Sequence, residues 1–220
     1  MFLTRFEINP QRRDARKLLG SPQAMHAAVL AGFPPSQASE AGRVLWRVDP
    51  GAHSSVLYLV SPTQPDLSHL VEQAGWPSTT GWLSRDYRPR LDGLAADQDW
   101  AFRLTANTTR STKLSPDAAR SQRYGHVTVA QQREWLIERM PKLGCRLGKT
   151  SQDEPDLIVS QRSTKKFLRQ GGTVTLSTAT FDGSLIVDDP GALRAALTGG
   201  IGPAKAYGCG LLTLMPARPA

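Results

Sequence analysis

The sequence predicts an α+β chain of two tandem ferredoxin-like (RRM-like) βαββαβ domains. Short alternating apolar stretches recur in both halves, helix-opening signals fall between them, and the order β-α-β-β-α-β is met twice. A polar, turn-rich stretch, RPRLDGLAADQD (88–99), separates the halves. One unit is therefore expected over residues 1–88 and a second over 99–220. With 220 residues, 40% hydrophobic and 21% charged, the chain has enough apolar material for a real core, and its composition is neither disordered nor membrane-like.

Each element has a local reason. FLTRFEI (2–8) alternates like a strand. Ser21-Pro22 opens a helix through about Leu30, with Ser at the N-cap and Pro at the first helical position. RVLWRV (43–48) and SVLYLVS (55–61) alternate as strands around the turn Asp49-Pro50-Gly51. Asp66 starts a short helix to about Gln73, and a weaker strand is expected near Trp82 to Tyr87. In the second half AFRLTA (101–106) is a strand, and residues 127–143 form a helix capped by Thr128, with Val129, Trp135, Leu136, Ile137 and Met140 on its apolar face. DLIVSQ (156–161) and TVTLSTATF (173–181) make a hairpin with a basic tip, and Asp182-Gly183 is expected to turn the chain into SLIV. Asp189-Pro190 opens the helix GALRAAL, and LLTLMP is the last strand. Trp46, Tyr58 and Trp135 fall within apolar patterns and are expected in or near the core, which leaves no aromatic pair of the kind that stacks single-stranded bases.

Charge narrows the partner. Twenty-seven Lys and Arg against nineteen Asp and Glu give a formal +8, which favours a nucleic-acid partner over surplus charge kept for solubility. The cations cluster at Arg12, Arg13, Arg16 and Lys17, and again at Arg162, Lys165, Lys166 and Arg169. No stretch is long and apolar enough to span a membrane, and MFLTRFEINP has no signal-peptide layout. Cys145 and Cys209 have neither metal-ligand spacing nor scaffold density, so a cytoplasmic location is expected. No histidine pair is close enough in sequence to suggest a metal site, and no metal or cofactor is expected. His53, His69 and His126 are expected as exposed polar residues. The densest glycine cluster, GGIGPAKAYGCGLLTLMP (199–216), fits either a tight turn or a backbone lying against a phosphate.

GIGPAKAYGCGLLTL, the opening MFLTRFEINP, the Met25-His26 pair, FRLTANTTR (102–110) and FDGSLIVDDP lie in register from end to end. In these segments the chain resembles the CasE family of CRISPR-associated repeat-RNA endoribonucleases. The resemblance implies two ferredoxin-like domains and a single metal-independent cut in a CRISPR repeat RNA hairpin, leaving a 2′,3′-cyclic phosphate. It implies too that the product stays bound and that the protein joins the other Cascade subunits. The family's catalytic histidine follows a methionine on the first helix, which makes His26 the expected proton-transfer residue. The glycine loop, with Gly200 and Gly202, is expected beside the RNA backbone.

Metal-free RNA cleavage uses the 2′-hydroxyl as nucleophile, so it needs proton transfer and a cation for the phosphorane charge. Some relatives carry tyrosine three residues before the histidine. Here Gln23 stands there, able to orient a phosphate but not to act as a practical proton donor. Ala27 and Ala28 follow His26 where some relatives have basic residues, which makes Lys205 the expected charge-stabilising residue. Arg12, Arg13, Arg162, Lys165, Lys166 and Arg169 are expected on RNA phosphates. The competing expectation is an RNA-hairpin-binding subunit of a ribonucleoprotein that does not cut.

Overall fold

The computed structural model describes all residues except 35–42, 79–80, 114–120, 170–171 and 218–220. The first sheet is antiparallel, in the order β2-β3-β1-β4, from β1 (Phe2–Ile8), β2 (Leu45–Pro50), β3 (Ser55–Ser61) and β4 (Leu83–Asp86). This 2-3-1-4 order is that of a ferredoxin-like unit. Alternation decides which side chains meet the helices: Phe6, Ile8, Leu57 and Leu59 pack against α1 (Arg13–Gly20), α2 (Pro22–Leu30) and α3 (Ser68–Ala74). The α1 helix was not expected. Its apolar side, Ala15, Leu18 and Leu19, joins the same core, while its cations point to solvent.

A short helix, α4 (Arg88–Asp92), replaces the start of the expected linker and buries Leu91. The second sheet runs β11-β5-β10-β8, with β9 also paired to β10. Its strands are β5 (Asp99–Asn107), β8 (Cys145–Leu147), β9 (Leu157–Arg169), β10 (Gly172–Val187) and β11 (Leu212–Pro216), and a separate hairpin is made by β6 (Thr109–Lys113) and β7 (Ser121–Gly125). Helix α5 (Val129–Ile137) begins with a full Thr128–Gln131 capping box. It ends before the expected Leu143, because Pro141 cannot continue an α-helical ladder and residues Met140–Leu143 tighten into a 3-10 turn. Helix α6 (Pro190–Gly199) is capped by Asp189.

One expectation fails outright. Asp182-Gly183 is no turn: β10 runs straight through it to Val187. Gly183 lies against the Asp156 carbonyl, only 2.0 Å from where a Cβ would stand, and Asp182 binds Arg103 on the neighbouring β5 at 2.6 Å. The glycine serves strand approach rather than chain reversal.

The two units share apolar contacts. Leu45 and Val60 of the first sheet belong to the same cluster as Leu104, Trp135, Phe181, Leu193 and Leu197 of the second.

Candidate active site

Helix α2 carries one catalytic candidate, His26, and the RNA-contact candidate Gln23. Ser21 Oγ accepts from Ala24 N at 3.2 Å, and Pro22 fills a first-turn position. Met25 and Val29, four residues apart, are buried, which turns Gln23 and His26 along another side. Gln23 is exposed and His26 half-buried. Trp46 on β2 is 4% exposed and donates its indole Nε1–H to His26 Nδ1 at 3.4 Å.

The glycine loop reaches this helix from the second unit. Its 3-10 turn, Lys205–Tyr207, packs on α2 and β2. Gly208 has φ +78°, and a Cβ there would stand 2.7 Å from the Trp46 ring. Gly200, φ +75°, would place a Cβ 2.7 Å from Leu45 and 3.1 Å from the Lys205 stem. Exposed Gly202 lies on the Trp135 ring. Of the two explanations, tight backbone geometry is the one these glycines display. The backbone conformation is one that side chains rarely adopt, and the close approaches of these glycines are to the protein's own side chains.

Lys205 is half-buried, and its ammonium pKa is lowered, first by burial and then by the nearby Arg43 guanidinium. Arg43 and Lys205 line one cleft with Asn107, Thr109, Thr175 and Ser177. Such a pair of cations held at close range is relieved by an anion.

The β9–β10 hairpin closes the other side. Phe167 meets Tyr207 of the loop edge-to-face at 5.1 Å. Exposed Lys165 and Lys166 share a cleft with Ser21, Pro22 and Gln23 at the start of α2. The elements carrying the proton-transfer candidate, the loop lysine and the basic hairpin thus meet at the junction of the two units.

Three other expected contacts sit elsewhere. Arg12, exposed at the head of α1, donates to Gly75 O at 3.1 Å, and neither it nor Arg13 lines the Gln23 or Lys205 clefts. Arg162 braces β9 to α5, donating to Gln132 Oε1 at 2.8 Å and to the Val127 carbonyl. The Arg169 side chain lies outside the described residues. Among the remaining histidines, His53 is exposed as expected, whereas two are half-buried. A nitrogen of His69 meets Ala28 O at 2.8 Å, and His126 has its pKa lowered by burial, then by Arg110 and Arg139.

Sequence reading missed the device that joins the units. Arg47, 2% exposed, follows Trp46 on β2 and points to the opposite face. Its guanidinium binds Asp49 in two places, at 2.6 and 2.9 Å, and donates to Arg103 O at 2.9 Å, Leu211 O at 3.0 Å and Thr213 Oγ1 at 2.9 Å. Arg103 in turn meets Asp182 at 2.6 Å and Asp49 at 3.6 Å. An arginine amid apolar strand residues, with an aspartate two positions on and so on the same face, was the available signal.

Both cysteines are buried, and burial pushes their thiols up to about 12, so neither is a thiolate nucleophile. Among the described residues no group of three His, Cys, Asp or Glu could hold a metal ion, and no helix is long and apolar enough to cross a membrane.

A family model described as CRISPR associated protein matches residues 1–216. CRISPR-associated endoribonuclease Cse3 of Thermus thermophilus is 32% identical over 98% of this chain and all of its own length. The CRISPR system Cascade subunit CasE of Escherichia coli is 37% identical over 41% of each chain. A solved structure of CRISPR endoribonuclease Cse3 bound to 19 nt RNA matches 98% of this chain and 100% of that one, with TM-score 0.79 and 30% identity.

Proposed function

The chain belongs to the CRISPR-associated Cse3/CasE endoribonuclease family, and we propose that it cuts CRISPR precursor RNA at repeat hairpins and keeps the product as a subunit of Cascade. One observation carries this for the chain's own residues: α2 with His26, the Lys205 loop and the Lys165–Lys166 hairpin meet at one junction. We take residues 1–88 and 99–220 as the two working units. The hairpin and loop of the second hold RNA against the catalytic helix of the first. A cytoplasmic location suits two buried free thiols and an RNA substrate.

The chemistry needs no cofactor. The substrate's 2′-oxygen attacks the scissile phosphorus and the 5′-oxygen departs, leaving a 2′,3′-cyclic phosphate and a 5′-hydroxyl. His26 moves a proton in this step, since an imidazole titrates near neutral pH. Lys205 and Arg43 offset the charge that grows on the phosphorane. Gln23 and the hairpin lysines hold the backbone, reading the shape of the helix more than base edges, because the A-form major groove is narrow and deep.

Incubating the protein with its native repeat RNA in excess EDTA tests this. One cut with a 2′,3′-cyclic phosphate on the upstream fragment is expected. Strict dependence on added Mg²⁺ or Mn²⁺ overturns the metal-free route, and a shifted but uncut band makes the protein a hairpin-binding subunit.

A further inference from the structure

We propose that Trp46 is a positioning residue for His26, whose indole N–H holds the imidazole in the tautomer with its proton on Nε2. This rests on the assignment of His26 to proton transfer above. An indole N–H can only donate, so the His26 Nδ1 it meets at 3.4 Å must present a lone pair. In the neutral ring the proton then sits on Nε2. An Nδ1–H tautomer would set two donors against each other. Nε2 of the neutral ring therefore carries a proton rather than a lone pair, and which nitrogen bears it is set by the bond at the other.

The indole is itself well fixed. Trp46 is buried, and β2 pairs it with Leu59. The next residue, Arg47, ties the strand to Arg103, Leu211 and Thr213 of the second unit. The far edge of the ring lies against Gly208, just after the turn that contains Lys205. One side chain thus sets the ring orientation of His26 and backs the loop that presents the lysine. Glycine at 208 is what lets the loop lie on the indole, and a tryptophan at 46 is what supplies a donor from an apolar plate.

Two replacements separate the N–H from the ring. Trp46→Phe removes the donor and some volume. An isosteric β-(3-benzothienyl)alanine at position 46, with sulfur in place of N–H, removes the donor alone. Long-range ¹H–¹⁵N correlation spectra of ¹⁵N-histidine-labelled protein report the tautomer, and single-turnover cleavage at saturating protein reports the step. The expected result is an Nε2–H pattern for His26 in the natural protein, lost in both variants. The rate should fall by about 2- to 10-fold, the share of one neutral hydrogen bond, with RNA affinity unchanged. The proposal is overturned if the benzothienyl variant keeps both tautomer and rate while His26→Ala is slow. It is also overturned if only Trp46→Phe is slow, since packing would then be the whole effect. A His26→Ala protein that cleaves at the natural rate overturns the proton-transfer assignment instead.

Discussion

The two ferredoxin-like units share an underlying element order but add different parts to it, α1 in the first and the β6–β7 hairpin and a second partner strand for β10 in the second, and their strands are unequal. In the first, no strand exceeds seven residues, and the sheet serves to seat α2. In the second, β9 has 13 residues and β10 has 16. Only residues 178–186 of β10 pair with β5, while 172–177 pair with β9 alone. That surplus is a two-stranded ribbon reaching past its own sheet to the start of α2. A hydrophobic core explains the shared part of the two units. They differ in what each brings to the junction, a helix with a histidine from one side and a basic ribbon with a glycine loop from the other, and the proposed function rests on that difference.

Breaking the junction should cost most. Arg47→Ala removes both short bonds to Asp49, which keeps Arg103 at 3.6 Å, and takes a donor from the carbonyls of Arg103 and Leu211 inside the interface. Removing one member of such a buried pair costs about 3–5 kcal/mol, which urea unfolding should show as a lowered midpoint. A loss below about 1 kcal/mol, the scale of an exposed ion pair, would mean that apolar packing alone holds the units together.

The glycine loop gives an internal contrast. Gly208→Ala adds a Cβ 2.7 Å from Trp46 at φ +78° and should destabilise by about 1–3 kcal/mol. Gly20, at the end of α1, has nothing within 4 Å of where a Cβ would stand and no unusual φ, so Gly20→Ala should be neutral or stabilise by up to about 1 kcal/mol. Equal effects at both positions would deny the loop its packing role.

Smaller effects separate the ribbon from the first unit's cations. Replacing Lys165 and Lys166 by Ala should lower the log–log salt slope of hairpin binding by about 0.7–0.9 for each phosphate no longer neutralised. Arg12→Ala and Arg13→Ala, on residues outside both clefts, should change it less. The reverse ranking would move the RNA path onto α1.

The smallest effect is a matter of pH. Lys205 has its pKa lowered by burial and then by Arg43, so it sheds its charge below the usual lysine value of 10.5 as pH rises. For folding the sign is plain: its contribution is fully present above 10.5 and is lost as pH falls through the lowered folded value. For RNA the charge matters instead, so affinity should decline earlier on the alkaline side than an ordinary lysine would give. Lys205→Arg should flatten that decline, and an identical profile for both proteins would place Lys205 away from the phosphates.

Much of this was legible in the sequence where local chemistry decides. Ser21-Pro22, Thr128 and Asp189-Pro190 open their helices as caps should. Asp182-Gly183 misleads because its turn chemistry is overridden by neighbours far away in sequence, the Asp156 carbonyl and Arg103. Helix α1 is hard to see since Arg12 supplies no side-chain cap and the cations mask the apolar set Ala15, Leu18 and Leu19. In the site, His26 and Lys205 stand out by motif. The Trp46–His26 bond spans 20 residues, the Arg47 bonds reach as far as 166, and the Arg162 brace spans 30 and 35, distances at which no periodicity speaks.

If His26 moves protons while other residues supply most of the grip on RNA, rate and affinity should separate in one variant. Single-turnover cleavage by His26→Ala at saturating protein, paired with hairpin affinity at fixed salt, tests it most directly. The expected rate is lower by about 10²–10⁴-fold, the usual share of general acid–base catalysis, with affinity nearly unchanged. An unchanged rate with weakened binding would contradict it, making His26 a phosphate contact and leaving the proton transfer to another residue.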